Sequence, residues 1–552
     1  MSQDTATPTS SRSADQIELE KRHSIYEQLT NAGSPQRNNR LCVAISDIHL
    51  TDGTVGLQNL TDEVWDNFFD RIGDTAELYN INEVALIIDG DFLDFIRTQR
   101  WAENNFYPWQ REENPALFAD IINTITDDIL CIHRGFFDRL KNFDSRLKQQ
   151  APDISSRLII LLGNHDKELM LVNDALAKFY AQGLGISLQD ISDSEREFIG
   201  RMYGDPEMFR DKSTAPYFPF YYADRGFRFF TTHGQWRDAQ NNRAIAADNG
   251  LPGWKTKDGW KPKVWEQLRY KPFLEACFGD SVAAGVLSSF IYNTKKDLKS
   301  DNIHIDRLTR ILDELDLYRP SYLAVKRIIL EAKRMRSLED KQQQDAAKII
   351  EKNLQSSIRT WLSWDFTAKS ASTMGRMLIR VARTTFSIMR TLRLNLELGT
   401  VLNALRLMDW IDNKFGKKTE ALDTMCKFPG FQPPYTDHGF QIHGEGHTHF
   451  PLQEEANIPG VTTNLTYVNF GTWRDQIVPR LDNGYRRRGV LRTFNILDLK
   501  SNDESQPDAR RFSYFTQDIM LWDDALDRIN EKATATAKSH RSATTAKADC
   551  EH

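Results

Sequence analysis

The chain has 552 residues, 40% hydrophobic and 27% charged, enough for one large or two moderate domains with cores of their own. Its 71 Lys plus Arg against 77 Asp plus Glu leave a formal net charge of −6, which excludes chain-wide electrostatic binding of nucleic acid and confines any basic surface to a local patch. The five cysteines are scattered and form no C-x-x-C pair, which argues against a disulfide framework and against a thiolate zinc site.

Residues 1–37 read as a polar, largely disordered extension without a secretory signal. Leu41–Ser46, Glu83–Asp89 and Arg157–Leu162 are short β-branched or Leu-rich runs, each followed by Asp, Gly, Asn or His, and predict buried strands that end in functional loops. Helical periodicity over Glu63–Tyr79 and Ala116–Lys148 places helices between them, the alternation of an α/β fold. Tyr217–Tyr222 and Phe227–Thr232 flank Ala223-Asp224-Arg225-Gly226 and predict a hairpin.

From 236 to 435 the pattern is almost wholly helical, far beyond the usual connection of about 4 to 6 residues, and predicts an inserted helical domain acting as cap or lid. A second β-rich section follows, and 525–552 read as a disordered tail. The core is therefore expected in two parts, 38–235 and 436–524. The longest apolar runs, Val84–Ile88 and Leu158–Leu162, are strand-sized and fall short of the roughly 18 to 20 residues of a spanning helix, so the expected location is cytoplasmic.

Successive strand ends carry Asp47-Ile48-His49, Gly90-Asp91-Phe92-Leu93-Asp94, Gly163-Asn164-His165-Asp166, His233-Gly234 and Gly446-His447-Thr448-His449. In Asp-x-His the period-two pleat of an extended segment is expected to point both side chains the same way, and His447 and His449 repeat the device. Imidazole, carboxylate and amide oxygen without thiolate suit Mn, Fe or Zn better than Ca. Seven such groups suggest two divalent ions.

These five ordered blocks resemble those of the calcineurin-like metallophosphoesterase superfamily, over roughly residues 40–240 and 436–516. The resemblance implies a four-layer αββα sandwich, here with a large inserted α-helical domain. It implies that Asp47, His49, Asp91 and His449 hold one metal, and that Asp91, Asn164, His233 and His447 hold the other, with Asp91 bridging. His165 matches the catalytic histidine of the family and Asp94 the carboxylate that orients it. The implied reaction is hydrolysis of a phosphate ester by a hydroxide, shared between the cations, that attacks phosphorus in line. His443 matches no ligand position, and Asp166, Asp89 and Asp52 read as supports around the ligands.

Trp236-Arg237-Asp238 and Trp473-Arg474-Asp475 both follow a strand end and offer Arg237 and Arg474 either to a substrate phosphate or to structural ion pairs. In the helical stretch, Lys369, Arg376, Arg380, Arg383 and Arg390 share one face, opposite Met374, Leu378, Val381, Ile388, Met389, Leu392 and Leu396. Such a helix suits a phosphorylated substrate or the surface of an anionic membrane, the alternative being a packed lid helix with a solvated basic face.

Phosphoprotein phosphatases of the superfamily carry Arg-Gly after the second Asp of the G-D-x-x-D block and Glu after Asn-His. Phe95-Ile96 and Asp166 stand there in this chain, which disfavours a phosphoprotein substrate. The helical insertion is similar to that of the UDP-2,3-diacylglucosamine hydrolases, although theirs is shorter and they commonly carry Arg where His165 stands. A phosphodiester or pyrophosphate, small or lipid-linked, is therefore favoured over a monoester. A metal-dependent nuclease is the enzymatic alternative and a non-catalytic scaffold the other. The expected partners are that substrate and, at the periphery, an anionic membrane, with nucleic acid left open.

Overall fold

Three of the apolar runs form a parallel ladder: β1 (Arg40–Ile45), β2 (Glu83–Ile88) and β3 (Ser155–Ile160), with Val43 opposite Leu86 and Leu86 opposite Leu158. These are features of a computed structural model that describes residues 38–238, 240–243, 270–319, 322–371, 375–377, 379, 380, 383, 435, 439–457, 464–479, 485–501 and 509–521. The expected tails, 1–37 and 525–552, and the Arg390–Leu396 end of the basic helix lie outside the described residues.

The second β-rich section contributes β6 (Ile442–Glu445), β7 (Leu452–Ala456), β8 (Leu465–Asn469), β9 (Gln476–Pro479), β10 (Tyr485–Lys500) and β11 (Arg510–Leu521). Antiparallel β10 and β11 extend the first sheet past β1, giving the order β11-β10-β1-β2-β3, with β9 on β10. The second sheet runs β4-β5-β6-β8-β7. Its β4 (Tyr222–Asp224) and β5 (Phe229–Thr231) are the predicted hairpin, shorter than expected, with Tyr222 opposite Thr231. Asp224 secures the turn by accepting hydrogen bonds from the backbone N–H groups of Gly226 (2.8 Å) and Phe227 (3.2 Å).

The architecture is mixed α/β, and its two sheets pack face to face. Cys42, Ala44, Ala85, Ile87 and Ile159 from one meet Tyr222, Phe229, Ile442 and Val468 from the other in a single cluster. The alternate residues Leu41, Val43, Ile45, Val84, Leu86 and Ile88 point the opposite way, into a cluster with Trp65, Phe68, Phe69 and Ile72 of helix α1 (Asp62–Leu78). Burial on both faces explains why these strands read as continuous apolar runs.

The run predicted as one helix over Ala116–Lys148 is three: α2 (Pro115–Ile132), α3 (Arg134–Lys141) and α4 (Phe143–Gln150). At His133 the backbone leaves the helical region, with φ −101° and ψ 23°, and the ring Nε2 bonds the Thr51 carbonyl at 2.9 Å. Desolvation pulls the His133 pKa from 6.5 down to about 4. The unfolded chain therefore binds a proton that the folded one refuses, and the stability this contributes above pH 6.5 is lost as pH falls toward about 4. Urea unfolding between pH 7 and 4 is expected to show a steeper loss for the wild type than for His133→Gln. Equal slopes would rule out His133 as the titrating group.

Within the expected insertion, α5 (Ser289–Ser300), α6 (Asp306–Asp313), α7 (Tyr322–Arg336) and α8 (Lys341–Ser363) are described. They share a core that includes Phe290, Leu308, Ile311, Ile329, Ile350 and Leu354, joined by Val55 and Ile477 from the sheet-bearing part. Among the described residues, Lys271–Ser300 has an 18-residue window of mean hydropathy 1.3, so by length and composition alone this one stretch is apolar enough to cross a membrane. More than half of that window is buried inside the protein, and Phe290, Ile291 and Leu298 serve the helical core.

The segment between α6 and α7 fastens the insertion to the sheets. The Arg319 N–H donates to the Ile477 carbonyl (2.9 Å), Arg474 pairs with Asp316 (2.8 Å), and Arg487 pairs with Glu314.

Candidate metal centre

Five of the seven ligand candidates sit past the strand ends in a backbone conformation that non-glycine residues rarely adopt. Asp47, His49, Asp91, His447 and His449 have φ of 55°, 50°, 47°, 67° and 61°. The pleat expected for Asp-x-His is thus corrected: β1 ends at Ile45, and left-handed residues on either side of Ile48 aim Asp47 and His49 together. Each such residue costs about 1–3 kcal/mol and persists where neighbours over-determine it. Here the His49 N–H donates to the Asp91 carbonyl (2.9 Å), and the Leu50 N–H to that of Phe92 (2.9 Å).

Two glycines are required by close approach. A Cβ on Gly163 would lie 2.1 Å from the Asp91 nitrogen, and one on Gly446 would lie 1.9 Å from Ser46 Oγ.

Five chain segments converge in overlapping groups whose ligand atoms lie within 4.8 Å of one another. One holds Asp47, His49, Asp91 and His449, and another Asp91, His233 and His447. His449 Nε2 is 3.2 Å from Asp47 Oδ1 and 3.1 Å from His49 Nε2. His233 Nε2 is 3.3 Å from Asp91 Oδ2. Asp47 Oδ1, Asn164 Oδ1 and His233 Nε2 are buried without a hydrogen-bond partner among the described residues.

Two imidazole nitrogens facing each other among buried carboxylates, beside orphaned donor atoms, form a cradle that suits a cation. The electrostatics agree. Burial opposes ionisation of Asp47 and Asp91, yet the neighbouring histidines, His233 foremost, hold both well below the usual carboxylate range. Burial also opposes charge on His233, and Asp91 and Asp47 overcome it and raise its pKa. These buried clusters can hold metal ions.

Each imidazole is oriented by the atom behind it. His233 Nδ1 donates to the Asp89 carbonyl (2.6 Å), which leaves Nε2 facing Asp91. His447 Nε2 meets Asp238 Oδ2 at 3.1 Å, which leaves Nδ1 as its ligand atom. Burial works against charge on Asp238, but the hydrogen bond and charge of His447 hold its carboxyl at about 2.

Asp94 serves two rings: Oδ1 meets His165 Nδ1 at 2.9 Å and Oδ2 meets His49 Nδ1 at 3.1 Å. Asp166 joins two ligand loops, accepting from the N–H groups of Leu93 (2.7 Å) and Gly163 (3.0 Å). Asp52 accepts from Thr54 and Thr98 and braces the loop after His49.

The structure gives Arg237, Arg474 and Arg383 partners within the protein. Arg237 is paired with Glu445, which also bonds His443 (3.1 Å) and Tyr467 (3.0 Å), so Arg237 and His443 belong to one buried polar network. Arg474 Nη2 bonds Asp316 and the Leu57 carbonyl. Arg383 donates to the carbonyls of Leu362 and Trp364 at the end of α8, which closes that helix terminus, while Arg376 is half-buried and Arg380 exposed.

Three functional candidates escaped the sequence reading. Asp238 stood inside a motif scanned for its arginine, and Arg97 stood three residues after Asp94. Arg319 carries no local signal at all, because only the docked insertion brings its Nη2 to 3.4 Å from His449 Nδ1.

The chain matches no protein-family model, and no curated protein matches it.

Proposed function

We propose that this chain is a dinuclear metal-dependent hydrolase of phosphate esters, built as the αββα sandwich of the calcineurin-like metallophosphoesterases with a helical insertion. The observation that carries the reading is the convergence of Asp47, His49, Asp91, His233, His447 and His449, together with the buried, unpartnered atoms Asp47 Oδ1, Asn164 Oδ1 and His233 Nε2. The facing sheets and the helices outside the first of them agree with that fold.

Asp47, His49, Asp91 and His449 would hold one ion, and Asp91, Asn164, His233 and His447 a second. Their N and O donors suit Mn, Fe or Zn. Divalent ions in that place supply Lewis acidity toward phosphoryl oxygens and make water acidic enough to attack phosphorus.

The chain's own groups do the rest. Asp94 holds the His165 ring through Nδ1, so that Nε2 faces the reacting oxygens, where, carrying a second proton, it donates to the phosphoryl group and passes that proton to the leaving oxygen. The Asp91 carboxylate also accepts the His165 N–H (2.8 Å), which sets the catalytic ring at a fixed distance from the shared ligand. The substrate is a phosphodiester or pyrophosphate, small or lipid-linked.

The test is hydrolysis of bis(p-nitrophenyl) phosphate and p-nitrophenyl phosphate by Mn-loaded and chelator-stripped protein. Diester cleavage that vanishes on stripping and returns with Mn is the expected result. Cleavage independent of metal, or protein that takes up no metal, would overturn the reading.

A further inference from the structure

Charge is distributed unevenly around the candidate centre. At the His447 end the nearest charged partner is acidic, Asp238. At the His49–His449 end two guanidiniums approach. Arg97 is buried, and its Nη1 lies 3.2 Å from Asp94 Oδ2, an ion-pair distance without hydrogen-bond alignment. Arg319 arrives from the insertion, anchored through its own N–H on Ile477 and through Nη1 on the carbonyls of Asp316 and Tyr318.

Arg97 Nη1 is buried without a hydrogen-bond partner among the described residues, and the contact of Arg319 Nη2 with His449 Nδ1 is long, at 3.4 Å. When His449 binds a cation through Nε2, its proton sits on Nδ1, so Arg319 Nη2 has no acceptor there and stays available. Burial and, after it, the charge of Arg97 pull the Arg319 pKa below the usual guanidinium value, an effect that a bound anion would offset.

His165 belongs to the same end: its ring packs edge-on against His49 at 4.8 Å and shares Asp94 with Arg97. The group that protonates the leaving oxygen therefore lies at the end that carries both arginines, while the opposite end is acidic. A leaving group that is itself a phosphate suits such a site, and a neutral alcohol makes no use of it.

We propose that Arg97 and Arg319 form an anion clamp on the leaving-group side of the centre, and that the substrate is a pyrophosphate diester whose second phosphate this clamp holds. The inference rests on the hydrolase reading above and narrows it. In the step it implies, a water oxygen bonds to one phosphorus as the bond from that phosphorus to the bridging oxygen breaks, the electron pair leaving with the second phosphate. His165 gives the bridging oxygen its proton. One water proton restores His165, the other stays on the first phosphate, and the products are two phosphomonoesters. The pyrophosphate can belong to a soluble nucleotide or to a lipid. Phe450 and Leu452, 43% and 37% exposed directly after His449, provide an apolar rim for the latter.

The test uses the full Mn-loaded chain as wild type, Arg319→Ala and Arg97→Gln. Calorimetry measures binding of methylenediphosphonate and methylphosphonate, hydrolysis is followed on UDP-glucose, micellar CDP-diacylglycerol and bis(p-nitrophenyl) phosphate, and bound Mn is counted by mass spectrometry. Each variant is expected to keep its Mn and to bind the diphosphonate roughly 10- to 100-fold more weakly, with a smaller loss for the monophosphonate. Pyrophosphate cleavage should fall by at least about tenfold more than cleavage of bis(p-nitrophenyl) phosphate.

Cleavage of UDP-glucose or of CDP-diacylglycerol supports the clamp, and the faster of the two identifies the source of the pyrophosphate. Equal weakening of both phosphonates, or cleavage of bis(p-nitrophenyl) phosphate with neither pyrophosphate cleaved, overturns the clamp and leaves the hydrolase reading standing. Protein that binds no metal and cleaves none of the esters overturns both. Arg97 lies away from the docking segment of the insertion, so its variant separates loss of the clamp from misdocking of Arg319.

Discussion

Asp91→Asn is expected to empty both halves of the centre at once and to lower phosphodiester hydrolysis by at least ~10³-fold. Asp91 is the one carboxylate common to both groups, its Oδ2 lying 3.7 Å from His49 Nε2 and 3.3 Å from His233 Nε2. The amide keeps the shape and loses the negative charge that would offset a divalent ion in both groups. Mass spectrometry should find metal in the wild type and almost none in the variant. Added Mn should raise the melting temperature of the wild type only, because binding stabilises a protein only where the folded state binds the ion. A variant that retained full metal while losing activity would remove Asp91 from the ligand set.

His165→Ala should give the opposite pattern, with metal retained and turnover lowered roughly 10²- to 10⁴-fold, the range of a positioned acid or base. His165 stands outside both groups that contain Asp91, and its Nδ1 is occupied by Asp94. Asp94→Asn should fall between the two patterns, since Asp94 also holds the ligand ring of His49. Metal affinity should drop about 10- to 100-fold, as when other supports of metal-bound histidines are removed, and turnover should drop with it. If His165→Ala lost metal as completely as Asp91→Asn, His165 would have to be counted among the ligands.

The buried Asp and His cluster was legible in the sequence because its residues are marked locally. Each candidate lies within a few residues of an apolar run, and buried strands announce themselves by composition, so the strand ends could be placed before the sheets were known. The route by which those side chains are aimed was not legible. A pleat was the natural expectation, whereas the left-handed residues at 47 and 49 depend on backbone bonds to Gly90 and Asp91, and that at 447 on the Asp47 carboxylate. The break at His133 is of the same kind, since apolar periodicity continues across it and only the bond to the Thr51 carbonyl marks it.

By itself, then, the sequence determined which residues could ligate, that they form a two-part α/β core, and that a helical segment separates the parts. Tertiary structure decided which charged groups surround them. Arg237 and Arg474 had the better sequence context, yet their guanidiniums meet Glu445 and Asp316, while Arg319, which nothing nearby in the chain distinguishes, reaches His449. The physical reason is reach. A candidate ligand is brought near the centre by the strand it follows, whereas an arginine's partner depends on which surface is docked against it, and that docking is set by contacts such as Tyr318 with Ile477, far apart in the chain.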